Sequence, residues 1–152
     1  MTDVTVAEER PDQGEALELL RQFEAFSSTL YGPAARPRPA AAALLADTSH
    51  FFVARRDGRA LGCMALVRND ADKGELTRCF VSEEARGQGA GLAMLLTAEA
   101  AARRDGLRVI QLETGNRNIA ALRLYRGNGF RERAPFGNYP DDGVSVFLEK
   151  AL

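Results

Sequence analysis

Apolar residues first recur at helical spacing at Ala16, Leu19, Leu20 and Phe23, an i, i+3, i+4, i+7 set that predicts an amphipathic helix, with Asp12 placed to cap it. A short run at 4–7 reads as a strand ahead of that helix. Pro33, Pro37 and Pro39 then interrupt the period and predict an irregular connection carrying Arg36 and Arg38, with a weaker helix at 40–46. From residue 51 to 67 the pattern becomes that of a sheet: Phe51-Phe52-Val53, the turn dipeptide Asp57-Gly58, then Ala60-Leu61 and Met64-Ala65-Leu66-Val67, together a hairpin. A third strand is expected at 75–81, and a helix from 91 to 104 stopped by Asp105-Gly106, with Leu92, Leu95, Leu96 and Ala102 clustered on one side and Glu99 intruding on that stripe. A buried strand at 109–112, a short helix at 118–126 and a closing pair of strands, from Phe130 onward and at 144–148, complete the order. Helix, meander, helix, strand, helix and two strands indicate an α/β fold of α+β layers around a mixed sheet.

Between the third strand and the second long helix lies Arg86-Gly87-Gln88-Gly89-Ala90-Gly91. Glycines let a backbone turn tightly and approach a ligand closely, and the first turn of a helix presents free N–H groups at the positive end of its dipole. The segment therefore reads as an anion cradle suited to phosphate. It fits poorly as a dinucleotide fingerprint, because G-x-G-x-x-G should follow the first strand of a repeated βαβ unit, and here the third glycine is displaced and the loop lies mid-chain. No Gly-Lys-Ser or Gly-Lys-Thr is present to make a P-loop.

Composition narrows the choice. At 152 residues, 45% hydrophobic and 27% charged, the sequence suits one domain spanning 1–152 with a core large enough to dispense with staples. A net charge of -1 argues against nucleic acid as the partner, which would require clustered cations. Cys63 and Cys79 fall in apolar runs and read as structural thiols; with His50 the sole histidine and no C-x-x-C pair, no metal is expected. Acidic residues through the first thirty positions leave no apolar segment for a signal peptide or membrane span, so a cytoplasmic location is expected, with no membrane partner.

The cradle Arg86-x-x-Gly89-x-Gly91, preceded by Leu76-Thr77-Arg78-Cys79-Phe80-Val81, resembles the acyl-CoA signature of the GNAT superfamily of N-acetyltransferases. Asn118-Ile119-Ala120-Ala121-Leu122-Arg123-Leu124-Tyr125 followed by Gly129-Phe130 resembles a later motif of the same superfamily, so the likeness spans 75–130. The resemblance implies a largely antiparallel central sheet flanked by helices, and acetyl-CoA as cosubstrate without a metal. It also implies pyrophosphate held by backbone donors at Arg86, Gly87, Gln88, Gly89, Ala90 and Gly91. The pantetheine arm would pair with main chain at Phe80 and Val81, either of whose N–H groups could polarise the thioester carbonyl. Tyr125 falls at the position of the proton donor to the departing thiolate. Glu75 is the candidate general base, read as sharing one strand face with Thr77, Cys79 and Val81. Asn118 is either a contact to pantetheine or a helix N-cap, with Asn116 a rival for both roles. Arg86 is either a charge-assisted phosphate ligand or a solvated loop residue.

For the acceptor, similar enzymes draw on the end of the first helix and the connection between the last two strands, which points here to Tyr31 and Tyr139 as substrate-binding residues. Asp141 and Asp142 either attract a cationic amine or form a polar turn, and Arg36 and Arg38 either bind an acceptor carboxylate or are solvated. The resemblance implies transfer of acetyl to a primary amine, on a small molecule rather than on a protein N-terminus or lysine. A non-catalytic acyl-CoA-binding module is the alternative of another class, and it would need neither Glu75 nor Tyr125. Dimers are frequent in similar enzymes.

Overall fold

The computed structural model describes residues 3–32 and 38–152, so Pro33, Arg36 and Pro37 of the proline-rich connection lie outside the described residues. The chain runs β1 (Thr5–Glu8), α1 (Gly14–Tyr31), a 3-10 turn (Ala41–Leu45), β2 (His50–Arg56), β3 (Arg59–Arg68), β4 (Lys73–Val81), a second 3-10 turn (Glu83–Ala85), α2 (Ala90–Arg104), β5 (Val109–Gly115), α3 (Ile119–Arg126), β6 (Arg131–Glu132) and β7 (Ser145–Ala151). The seven strands form one sheet in the order β1-β2-β3-β4-β5-β7-β6. Every neighbouring pair is antiparallel except β4 with β5, the pair joined through α2. A parallel pair needs such a crossover. The β2–β3 hairpin turns on Asp57 and Gly58 at φ 51° and 79°, as the Asp-Gly dipeptide predicts.

The two faces of the sheet carry separate cores. On one, α2 and α3 cover Phe52, Met64, Leu66, Leu76, Ile110, Leu112 and Leu148. On the other, α1 and the first 3-10 turn cover Phe51, Val53, Cys63, Ala65, Val67 and Phe80.

Three expectations about the helices fail. Asp12 does not cap α1: the N-cap position is Gln13, without a side-chain cap, and Asp12 instead takes two hydrogen bonds from Arg10, at 3.0 and 2.7 Å. Residues 40–46 make a 3-10 turn, not an α-helix. On α2 the inward face is Ala90, Met94, Leu95, Ala98, Glu99, Ala101 and Ala102, whereas Leu92 and Leu96 are exposed. Small residues let α2 sit close to the sheet. Glu99 belongs to that buried face because Lys150 reaches it at 2.7 Å, and a buried charge is tolerated when paired.

The feature that positions the site is an irregularity in β4. Thr77 pairs with Ala65 and Phe80 with Cys63, so Arg78 and Cys79 together face Met64 alone. Arg78 takes φ 53°, left-handed backbone that a residue with a Cβ adopts at a cost of roughly 1–2 kcal/mol. Its carbonyl accepts the Cys63 thiol at 3.4 Å. An extra residue inverts the facing of everything beyond it. Glu75 and Thr77, opposite Val67 and Ala65, face α1; Cys79 and Val81 pack with Leu76 on the α2 side. The expectation that Glu75 shares a face with Cys79 and Val81 is thereby corrected; of the three residues expected beside it, it shares one with Thr77 alone. Pairing of β4 with β5 also stops at Leu76 and Leu112, which leaves the rest of that β4 edge unpaired.

Candidate active site

The β4 edge and the glycine loop meet in a cavity of about 500 Å³ walled by Phe26, Cys79, Phe80, Val81, the 85–92 segment and the start of α3. Gly87 and Gly89 stand at φ 79° and 85°, which only glycine takes without strain, and Gly89 occupies the N-cap position of α2. Gly91 has ordinary backbone, but a Cβ there would lie 3.2 Å from the Leu124 side chain, so it sets how closely α2 approaches α3. At good hydrogen-bond geometry, no backbone acceptor among the described residues takes the N–H groups of Gly87 through Leu92. The Arg86 N–H, by contrast, turns back to Glu83 O at 3.4 Å. Gln88 sends its side chain away from the cavity, to Arg56 and to Glu84 O. The guanidinium of Arg86 lies 5.0 Å over the Phe26 ring at the cavity wall, and its Nε donates to Val81 O at 3.4 Å.

Which main-chain groups of β4 face the cavity follows from its pairing. Ser82 N donates to Leu61 O at 2.9 Å, so Ser82 and, two residues back, Phe80 direct their polar groups at β3. Val81 and Cys79 direct theirs at the unpaired edge. Of the two residues read from sequence for main-chain contact, Val81 has the geometry and Phe80 supplies a side chain, packed edge-on to Phe23 and tilted against Phe26. Cys79 was missed, since nothing in the sequence marks a left-handed residue before it.

A smaller cavity of about 50 Å³ adjoins the first and shares Phe26, Cys79, Asn118 and Ala121 with it. Tyr125 forms one wall, 3% exposed and edge-on to Phe130 at 5.4 Å. Burial, with Cys79 beside it, pushes its phenol well above the usual tyrosine range. Its hydroxyl neighbours Cys79, whose own thiol burial pushes up and the nearby phenol pulls partly back. Asn118 caps α3, its Oδ1 accepting Ala121 N at 3.4 Å, while lining both cavities. Asn116 takes neither role; its side chain donates to Gly143 O.

Tyr31 enters the same cavity from the end of α1. Its hydroxyl accepts Arg117 N at 3.1 Å, and it fits only because residue 115 is glycine: a Cβ there would fall 1.9 Å from the Tyr31 oxygen. A third cavity, of about 800 Å³, adjoins the smaller one at Arg38 and Tyr139. Glu75 sits at this cavity, 4% exposed, accepting Asn69 Nδ2 at 3.0 Å and the Tyr139 hydroxyl at 2.5 Å. Burial, then Glu75, keeps the Tyr139 phenol protonated far above its ordinary range. Tyr139 and Arg38 line both this cavity and the smaller one. Asp142 is turned to Val144 N and Ser145 N, at 2.9 and 2.8 Å, so it makes the polar turn.

The geometry is thus an unpaired strand edge and a loop of unsatisfied amides on one side, an enclosed carboxylate on the other, and a buried phenol between. Among the described residues no three His, Cys, Asp or Glu side chains gather as a metal would require, and no helix is long and apolar enough to cross a membrane. The chain is 36% identical to IAA acetyltransferase of Azospirillum brasilense over the full length of both. Its fold superposes with a TM-score of 0.84 on a Klebsiella pneumoniae protein provisionally described as an acyl-CoA N-acyltransferase, at 31% identity over 98% of this chain and 97% of that one. A GNAT acetyltransferase of Elizabethkingia anophelis, solved with acetyl-CoA bound, shares the fold at a TM-score of 0.74 and 20% identity, with 99% of each chain covered. The acetyltransferase (GNAT) family model matches residues 13–130. An open β4 edge, a glycine-built amide loop and a full-length relative agree: this chain belongs to the GNAT family of acetyltransferases.

Proposed function

We propose that the protein moves an acetyl group from acetyl-CoA to a primary amine on a small molecule. The carrying observation is the continuity of the three cavities, with amide donors at one end, Glu75 at the other, and Tyr125 where they meet. Acetyl-CoA fits what the chain offers: unsatisfied N–H groups from Gly87 to Leu92 for a pyrophosphate, and the free edge at Cys79 and Val81 for an amide-bearing arm. When bound it supplies an acyl carbon activated as a thioester.

The rest falls to side chains. An amine arrives as an ammonium and must lose a proton before it can attack. Tyr139, hydrogen-bonded to Glu75 and lining the smaller cavity, accepts that proton at its oxygen while passing its own to Glu75 Oε2. An N–H at Cys79 or Val81 faces the carbonyl where negative charge develops. Tyr125 then hydrogen-bonds the departing sulfur. Its raised pKa lies above that of an ordinary thiol, about 8.5, so it stabilises a thiolate by donation without surrendering its proton. Enclosure of Glu75 beneath Tyr139 favours a compact acceptor over a protein segment.

The test measures thiol release from acetyl-CoA against amines, amino acids and peptides, beside calorimetry with coenzyme A. Turnover of small amines above that of peptides is expected. Absence of heat on adding coenzyme A overturns the reading.

A further inference from the structure

Arg78 is the residue that the β4 irregularity re-aims. It is 9% exposed, lines the smaller cavity, and donates through Nη2 to Pro39 O at 2.9 Å. Its Nη1 is buried with no hydrogen-bond partner among the described residues. A buried cationic donor without an acceptor is costly, and so is left-handed backbone at an arginine; together they mark a group held ready for something else.

A second guanidinium shares the cavity. Arg38 pairs through Nη1 with Glu24 at 3.0 Å, stacks 5.0 Å over Phe23, and lines the same cavity as Arg78. Two neighbouring cations repel, and each lowers the cost of bringing an anion between them. The shape of that anion follows from guanidinium geometry, whose planar donors match the two oxygens of a carboxylate. Glu113 also lines this cavity and accepts the Ser145 hydroxyl at 2.6 Å, so it supplies a negative edge on the side of β5. An acceptor that places an ammonium near Glu113 and Tyr139 and a carboxylate on the arginines satisfies both halves.

We infer that the acceptor is an amine that also bears a carboxylate, anchored by Arg78 Nη1 together with Arg38. The inference rests on the amine-acceptor reading above and specifies its substrate class. Arg78 and Arg38 bind and orient; neither takes part in proton transfer.

The test uses matched acceptors, an amino acid beside its carboxamide and its decarboxylated amine, in the thiol-release assay. The carboxylate form should exceed its partners in kcat/KM by about ten- to a hundredfold, the worth of one or two charge-assisted hydrogen bonds. In Arg38→Ala, and in Arg78→Lys, that ratio should fall toward one, chiefly through KM. Arg38 is less buried than Arg78 and lies outside the strands, so its variant remains informative if the Arg78 variant does not fold. Equal turnover of the matched acceptors, or a ratio unchanged in Arg38→Ala, overturns the inference. If coenzyme A binds but no amine is acetylated, the amine reading fails alone, and direct titration decides the anchor with an amine-free carboxylate such as propionate. Binding weakened in Arg38→Ala upholds it, and absence of binding ends it.

Discussion

Replacing Tyr125 by Phe removes one oxygen from a side chain that is otherwise locked. The ring is 3% exposed and packed against Phe130, so phenylalanine fills the same volume. The folded state loses only the polar contact of that hydroxyl with its neighbour Cys79, about 1 kcal/mol or less, which for a chain of this size lowers the melting temperature by roughly 2–4 °C. The reaction loses more. A hydrogen bond to a charged acceptor contributes about 1.5–3 kcal/mol, and each 1.4 kcal/mol is about tenfold in rate, so kcat should fall by about ten- to 150-fold. Affinity for coenzyme A should be nearly unchanged, because the free amides from Gly87 to Leu92 lie on a different wall. Steady-state thiol release at saturating acetyl-CoA gives kcat, calorimetry gives the coenzyme A affinity, and a thermal melt reports folding. Since burial holds the Tyr125 phenol above its usual range, wild-type kcat should not decline between about pH 7 and 9.5 through loss of this proton. A folded variant with kcat within about twofold of wild type removes Tyr125 from the chemistry.

On the acceptor side, Glu75→Gln and Tyr139→Phe should each lower kcat/KM by about a hundredfold or more and alter the acidic limb of the pH-rate profile; an unaltered limb in both places the base elsewhere. Gly62→Ala puts a Cβ 2.5 Å from Phe80 O and 3.2 Å from Val81 Cα, backbone that cannot swing aside. A cost of about 1–3 kcal/mol, roughly 3–10 °C in melting temperature, should accompany weaker coenzyme A binding, and a melt indistinguishable from wild type would contradict the packing argument. His50 is pressed toward neutrality by burial, yet hydrogen bonds with Asp105 and Glu8, each at 2.6 Å, outweigh this and raise its pKa above the ordinary 6.5. The folded state therefore binds its proton more tightly than the unfolded chain. Its contribution is full below about pH 6.5 and is lost as pH rises through the higher folded value. Denaturant melts should show wild type losing stability relative to His50→Gln across that interval, and parallel curves would show the histidine to be uncoupled from folding.

Local chemistry explains which features were legible in sequence. The Asp57-Gly58 turn, the glycines at 87 and 89, and Asn118 ahead of α3 are determined by backbone preference or by a side chain reaching its own helix, so residue type and spacing suffice. Periodicity likewise located β2, β3, β4 and α2 to within a few residues. It misjudged the buried face of α2, because Leu92 and Leu96 match the stripe while alanines provide the close approach.

What tertiary structure alone decided begins at Arg78. Alternation assumes one residue opposite one residue, and pairing with β3 places two opposite Met64, which turns Glu75 away from Cys79 and Val81 and swings a guanidinium into the site. Gly62 and Gly115 are ordinary in sequence and become necessary only when Phe80 and Tyr31 arrive from distant segments. The sequence by itself determined the elements, the amide loop and the family likeness, since these depend on neighbours along the chain. The opposition of Glu75 and Tyr125, and the partnership of Arg78 with Arg38, depend on register across strands and on which helix covers which face, quantities that exist only once the sheet has closed.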